Sequence, residues 1–318
     1  MTQPTVFLYS GQGSHYYQMG RDLFERNATF RRVMLWLDDM AVSLAGESAL
    51  AEIYNPAKKL SDRFDRTRIT HPAIFMIEYA LTQVLFEASI FPSWIVASSL
   101  GNFAAAAAAG CLPVEDALRA AIAQAEIFEK HCPAGGMTAI FERSKEWVAA
   151  FARDHGCEIA STSDCSPPVI AATGDLLARA EAALRSAGAA FERLAVSFAF
   201  HSRWIDAAEQ PFREFLAKLP FQKPRIPILC CDGSENPEYL HDGFLWDAGR
   251  KQILIDPTLS RLPAFGHFVD LGPSGSLATA VKYWLQGRGA KGQTHSIVTR
   301  FGRDAARLDQ VIAALSAS

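Results

Sequence analysis

The sequence predicts an α/β protein in which a mainly parallel-sheet domain is interrupted by a small α+β unit. Three observations carry this expectation. Short apolar runs at Val6–Tyr9, Trp94–Val96 and Phe268–Leu271 each end in a turn of small residues and then pass into a helical pattern. Between Met137 and Ala195 the pattern reads β–α–β–β–α–β, the order of a split-βαβ or ferredoxin-like unit. The chain has 318 residues, 49% of them of hydrophobic type, enough for about two domains whose cores need neither disulfides nor metal. Residues 1–130 and 196–318 are assigned to the large domain, and 131–195 to the insertion.

Val6–Tyr9 reads as a buried strand followed by the turn Gly11-Gln12-Gly13-Ser14. Helical periodicity fills Arg21–Ala45 and His71–Ile90. Trp94–Val96 is a second strand, entered after Pro92, and it stops at Ala97-Ser98-Ser99-Leu100-Gly101. The alanine run Ala104–Ala109 reads as a tightly packed helix closed by Gly110. A further helix begins near Pro113, with Glu115 and Asp116 in its first turn. Gly135-Gly136 marks a break. The inserted unit then reads as strand 137–141, helix 146–155, strands 157–161 and 169–172, helix 175–186 and strand 190–195. Ile226–Cys230 and Phe268–Leu271 return to buried strand, and Gly272-Pro273-Ser274-Gly275 leads into a helix over 277–285. Gly287, Gly289 and Gly292 suggest a surface loop.

Charge narrows the function. Lys+Arg number 31 and Asp+Glu 34, a net charge of −3, which argues against a general nucleic-acid binder. The apolar stretch Ala73–Phe91 is broken by Glu78, Gln83 and Glu87, so it fits a core helix better than a membrane span. Met1-Thr2-Gln3-Pro4 shows neither a basic start nor an apolar run, so no secretory leader is read and a cytoplasmic location is expected. Six cysteines without CxxC spacing read as buried thiols, and the eight histidines form no paired-ligand motif, so no metal site is expected.

A strand, a sharp turn around a serine and a helix of small residues form a nucleophile elbow. The turn strains the serine backbone and aims its hydroxyl outward, and residues two places away on either side must be tiny. Ala97 and Gly101 flank Ser99 in that way. Ser98 is the rival serine but lacks small flanks at that spacing. The helix after Ser99 points its N-terminus at the reacting carbonyl, and the Leu100 N–H is the natural oxyanion donor. Serines before helices are more often N-caps, so a base is needed to complete the argument. His201, in Phe198-Ala199-Phe200-His201-Ser202, is the candidate. No acidic residue is placed to orient it, which leaves a backbone carbonyl for its second nitrogen.

Four separated motifs then agree: Ser10-Gly11-Gln12-Gly13-Ser14, Ser98-Ser99-Leu100-Gly101, Phe198-Ala199-Phe200-His201-Ser202 and Asp270-Leu271-Gly272-Pro273-Ser274-Gly275. Their order and spacing resemble the malonyl-CoA:acyl carrier protein transacylase family, including the acyltransferases of polyketide synthases, over essentially the whole chain. The resemblance implies an α/β-hydrolase-like large domain with a ferredoxin-like insertion. It implies Ser99 as acyl-accepting nucleophile, His201 as its base, and the backbone N–H groups of Gln12 and Leu100 as the oxyanion hole. It also implies that a carbonyl in Lys251-Gln252-Ile253-Leu254, assigned to Leu254, orients the histidine. The position of the family's supporting Asn falls near Cys165 here, so that support is expected to be lost. No cofactor is implied, the acyl group arriving on the phosphopantetheine arm of an acyl carrier protein, the expected partner.

Departures from the family pattern bear on the substrate. Malonyl carriers place an Arg 25 residues after the nucleophile to clamp the free carboxylate; here that position is Gln124, on a helix stripe with Ala117, Ala121 and Phe128 that should border the pocket. Gln cannot form the bidentate charge pair. An unpartnered buried carboxylate costs on the order of 3–5 kcal/mol. The family's His before the nucleophile is Ser98 here, and its Glu after Ser-Leu-Gly is Asn102. Arg203 is the one replacement cation, and Phe200 suggests a bulky pocket wall. This pattern resembles the acyl hydrolases of trans-acyltransferase polyketide synthases, which clear stalled acyl groups such as acetyl from carrier proteins. The alternatives are a trans-acting acyltransferase loading malonyl or another acyl group, and a catalytically silent docking protein.

Overall fold

The computed structural model describes residues 3–233 and 243–316; Met1-Thr2, residues 234–242 and residues 317–318 lie outside it. Two five-stranded sheets organise the chain. The first holds β1 (Thr5–Tyr9), β2 (Trp94–Ala97), β7 (Ile228–Cys230), β9 (His267–Asp270) and β10 (Gln293–Ser296), in the order β10-β9-β1-β2-β7. All four pairings are parallel. A parallel sheet needs helices on both faces, so its strands read as unbroken apolar runs rather than as alternation; β1 runs Val6 to Tyr9 fully buried.

The second sheet holds β3 (Gly135–Ile140), β4 (Glu158–Thr162), β5 (Val169–Thr173) and β6 (Phe191–Arg193). Its order is β6-β3-β5-β4-β8, where β8 is Ile253–Leu254. β5 lies between β3 and β4, and β3 lies between β5 and β6, so each βαβ half is split by a strand of the other, the ferredoxin-like arrangement. β8 comes from beyond residue 195 and pairs parallel with β4. The second sheet is therefore finished by a strand outside the inserted segment.

Three element expectations change. The periodicity over Arg21–Ala45 is broken at Asn27, whose extended backbone ends the Arg21–Arg26 helix and whose side chain accepts the Phe30 N–H to cap Ala28–Ala45. The helix read from His71 starts at Thr67 and holds Pro72 within it. The glycine-rich loop after residue 285 leads into β10, and the Asp304–Ser316 helix follows. Thr67–Glu87 is, among the described residues, the helix long and apolar enough to cross a membrane, but its apolar window is mostly buried within the fold. It is a core helix, packed on Ala28–Ala45 on one side and on Val114–His131 on another.

Candidate active site

The elbow forms where β2 ends. The Ser98 N–H continues the sheet to the Tyr9 carbonyl at 2.9 Å. Ser99 then turns the chain with a φ of 51°, left-handed backbone that costs a non-glycine residue energy. The Gly101–Ala108 helix leaves at once. Glycine at 101 is required by close approach: a Cβ there would stand 2.5 Å from the Tyr9 carbonyl oxygen. Gly11, from the facing loop, meets the elbow itself; its Cβ would stand 2.7 Å from Ser99 Cβ. This packing brings the backbone of Gly11 beside the serine side chain. Among the described residues no protein acceptor takes the N–H of Gln12 or Leu100, which leaves both amides free for an oxygen developing negative charge.

His201 closes the site. Its own N–H donates to the Gly249 carbonyl at 3.0 Å, holding the ring at the end of β2. Nδ1 lies 2.7 Å from the Lys251 carbonyl oxygen, and Nε2 lies 2.9 Å from Ser99 Oγ. A carbonyl only accepts, so Nδ1 carries the proton and Nε2 presents its lone pair to the serine O–H. Burial lowers the His201 pKa to about 4, against the opposing effect of the Lys251 carbonyl. The imidazole is therefore neutral at pH 7 and available as a base.

The orienting carbonyl is that of Lys251, not Leu254. Leu254 sits three residues on, where its N–H donates to the Cys231 carbonyl and its own oxygen accepts the Thr258 hydroxyl at 2.7 Å. Pairing of β8 with β4 turns the chain away before that carbonyl can reach the ring.

The Ser–His pair opens on a cavity of 370 Å³. Gln12, Ser98 and Phe200 line it. The Phe200 ring also packs against Phe128, with centroids 5.5 Å apart. One wall comes from the second sheet: Met137, Ala139 and Phe141 share one face at the period of two, joined by Val169, Leu194 and Glu192. In the sequence that alternation, Met137, Ala139 and Phe141, is the signal that marks the wall.

Three expected pocket residues stand elsewhere. Asn102 is buried behind the elbow, its Nδ2 donating to the Ser99 carbonyl at 2.9 Å. Gln124 is 3% exposed, with its amide nitrogen 3.3 Å from where a Cβ of Gly249 would stand and without a hydrogen-bond partner among the described residues. It backs the segment that holds His201 rather than the cavity wall. Arg203 is on the surface, its side chain 56% exposed, paired with Glu158 and stacked over Trp204. It is not a cation of the pocket, because the turn after His201 carries it outward. Cys165, where the family's Asn was expected, donates its thiol to Asp256 at 3.0 Å.

A serine at a strained strand–helix turn with a neutral histidine on its hydroxyl is an arrangement chemically capable of forming and breaking a serine ester. The chain belongs to the acyl transferase domain family, which matches residues 6–309. It is 39% identical over 318 residues to the polyketide biosynthesis acyltransferase homolog PksD of Bacillus subtilis (strain 168), covering 98% of this chain and 96% of that protein. It is 39% identical over 313 residues to the homolog BaeD of Bacillus velezensis, with the same coverage. Among solved structures, the acyl transferase domain of SpnD in complex with 2-(pent-4-yn-1-yl)malonyl is similar with a TM-score of 0.85 at 22% identity, covering 99% of this chain and 76% of that one. FabD from Acinetobacter baumannii gives 0.81 at 18% identity, covering 100% and 99%. These two likenesses show the fold.

Proposed function

We propose that the protein hydrolyses non-carboxylated acyl groups, acetyl among them, from acyl carrier proteins of a polyketide synthase through an acyl-Ser99 intermediate. The observation that carries the reading is the cavity wall: among its described lining residues there is no Lys or Arg, and the one charged group is the carboxylate of Glu192. A malonyl group would bring a free carboxylate into a space that offers it no cation and one like charge. The relatives named for polyketide biosynthesis support the setting.

Ser99 Oγ attacks the thioester carbonyl while His201 Nε2 takes its proton. The amides of Gln12 and Leu100 receive the oxyanion, and losing one such donor costs about 10²–10³-fold. The pantetheine thiol leaves with the proton from His201. Water, deprotonated by the same nitrogen, then cleaves the serine ester and regenerates the hydroxyl. Transfer is the second reading, favoured by the family itself: a thiol in place of that water makes the protein an acyltransferase. Incubation with carrier protein loaded with acetyl or malonyl separates the two. Free acetate with malonyl-carrier left intact supports hydrolysis, and acyl appearing on a second carrier supports transfer.

A further inference from the structure

We propose that Glu78 is a positioning residue for the oxyanion-binding loop: its carboxyl fixes Ser10 and thereby sets where the Gln12 amide stands relative to Ser99. The inference rests on the acyl-enzyme chemistry proposed above. Glu78 is fully buried in the Thr67–Glu87 helix, and its Oε1 accepts the Ser10 N–H at 2.7 Å. The other oxygen, Oε2, has no hydrogen-bond partner among the described residues. The Ser10 hydroxyl also donates to Oε1, at 3.5 Å, so both donors come from one residue, and a carboxyl group buried on so few donors is costly unless the position matters.

The rest of the loop explains what that position does. Ser10 is also packed closely on Gly272, where a Cβ would stand 1.8 Å from Ser10 Oγ. Gly272 is itself fixed by Asp270, whose two oxygens accept the N–H groups of Gly272 and Ala278, each at 2.8 Å. Two residues on, Gln12 is tied by its side-chain amide to Thr70 Oγ1 at 2.9 Å. Thr70 and Glu78 lie on the same helix, about two turns apart. One helix thus holds the loop at both ends of a three-residue span, and Gly11 in the middle of that span rests on Ser99. Freeing Ser10 lets the Gln12 amide drift from the point where the oxyanion forms.

Burial, reinforced by the nearby Asp270 carboxyl, pushes Glu78 well above the ordinary carboxylate range. The titratable groups facing it are Asp270 on β9 and Tyr9 on β1, whose hydroxyl bonds Thr82 one turn along. A Gln side chain in its place keeps an oxygen acceptor for the Ser10 N–H, whereas Leu keeps none.

The test uses the full-length protein and p-nitrophenyl acetate, with the burst reporting acyl-Ser99 and thermal unfolding reporting the fold. Glu78→Leu is expected to lower kcat about 10–100-fold with KM within about threefold, while Glu78→Gln stays within about threefold in both. Equal losses in the two variants, or a Glu78→Leu rate that matches the unaltered enzyme, overturn the role. If Glu78→Leu does not fold, Glu78→Gln decides through its pH profile. An alkaline fall in kcat present in the unaltered enzyme and absent in the Gln variant supports the proposal; superimposable profiles overturn it. Turnover of p-nitrophenyl acetate by the unaltered enzyme no faster than by Ser99→Ala sinks the acyl-Ser99 chemistry and the role of Glu78 together. A normal burst with an unaffected Leu variant sinks only the latter.

Discussion

Gly11→Ala places a single methyl group between the oxyanion loop and the nucleophile. It would stand 2.7 Å from Ser99 Cβ, 3.0 Å from the Ser98 carbonyl oxygen and 3.3 Å from Ser99 Oγ. Carbon atoms settle at about 3.5–4.0 Å, so loop and elbow must part by roughly 1 Å. Neither side yields freely. Ser98 is bonded to Tyr9 and Ser99 is locked in its left-handed turn. The loop is held by Ser10 on Glu78 and Gln12 on Thr70. Overpacking of this kind costs about 1–3 kcal/mol, which a domain of this size survives. The catalytic cost is larger, because the Gln12 amide moves relative to the attacked carbonyl and a misplacement near 1 Å costs about 10²-fold. The assay is the acylation burst with p-nitrophenyl acetate beside hydrolysis of acetyl-carrier, with circular dichroism to confirm the fold. A folded Gly11→Ala variant with kcat reduced about 100-fold is expected. A folded variant within about threefold of the unaltered enzyme refutes the packing argument.

Acylation requires neutral His201, whose pKa burial has lowered to about 4; kcat/KM should therefore stay level as pH falls through 6.5 and drop only on approach to about 4, and a half-loss near 6.5 contradicts this. His71 is buried, and its pKa is lowered to about 3. The unfolded chain takes up this proton first, so the stability His71 contributes above about 6.5 is lost as pH falls toward 3. In urea unfolding, His71→Phe should flatten the pH dependence between 6.5 and 4 by about 3 kcal/mol, and parallel curves for the two proteins count against it. Glu192→Arg, which exchanges the one charged side chain of the cavity wall for a cation, should raise malonyl handling relative to acetyl by about tenfold or more; an unchanged ratio removes the charge argument.

The parts of this molecule legible in its sequence are those with strong local chemistry. The strands β1, β2 and β9 are apolar runs ended by glycine-rich turns. The βαββαβ order survives because each of its helices keeps a clean apolar stripe, such as Val148, Phe151 and Ala152. The elements not anticipated lack such signals. β10 is Gln293–Ser296, polar throughout, and becomes a strand only by pairing with β9. β8 is two residues long and exists because β4 offers an edge. At the site, Ser99 and His201 announce themselves by side-chain type and by the small residues around them. The carbonyl on His201 does not, since any residue of the 251–254 stretch supplies one and only the chain path selects Lys251. Arg203 misled for the related reason that adjacency to His201 in sequence says nothing about direction. Glu78 read as a polar interruption of an apolar helix, and only the fold reveals that it meets Ser10.

The central claim is that Ser99 carries the acyl group and gives it to water. Intact-protein mass spectrometry after mixing with acetyl-loaded carrier protein tests it most directly. The account predicts a transient acetyl adduct mapping to Ser99, free acetate accumulating as it decays, and neither with Ser99→Ala. Acetate release that persists in Ser99→Ala, or an adduct that decays only when a second carrier thiol is supplied, would contradict it.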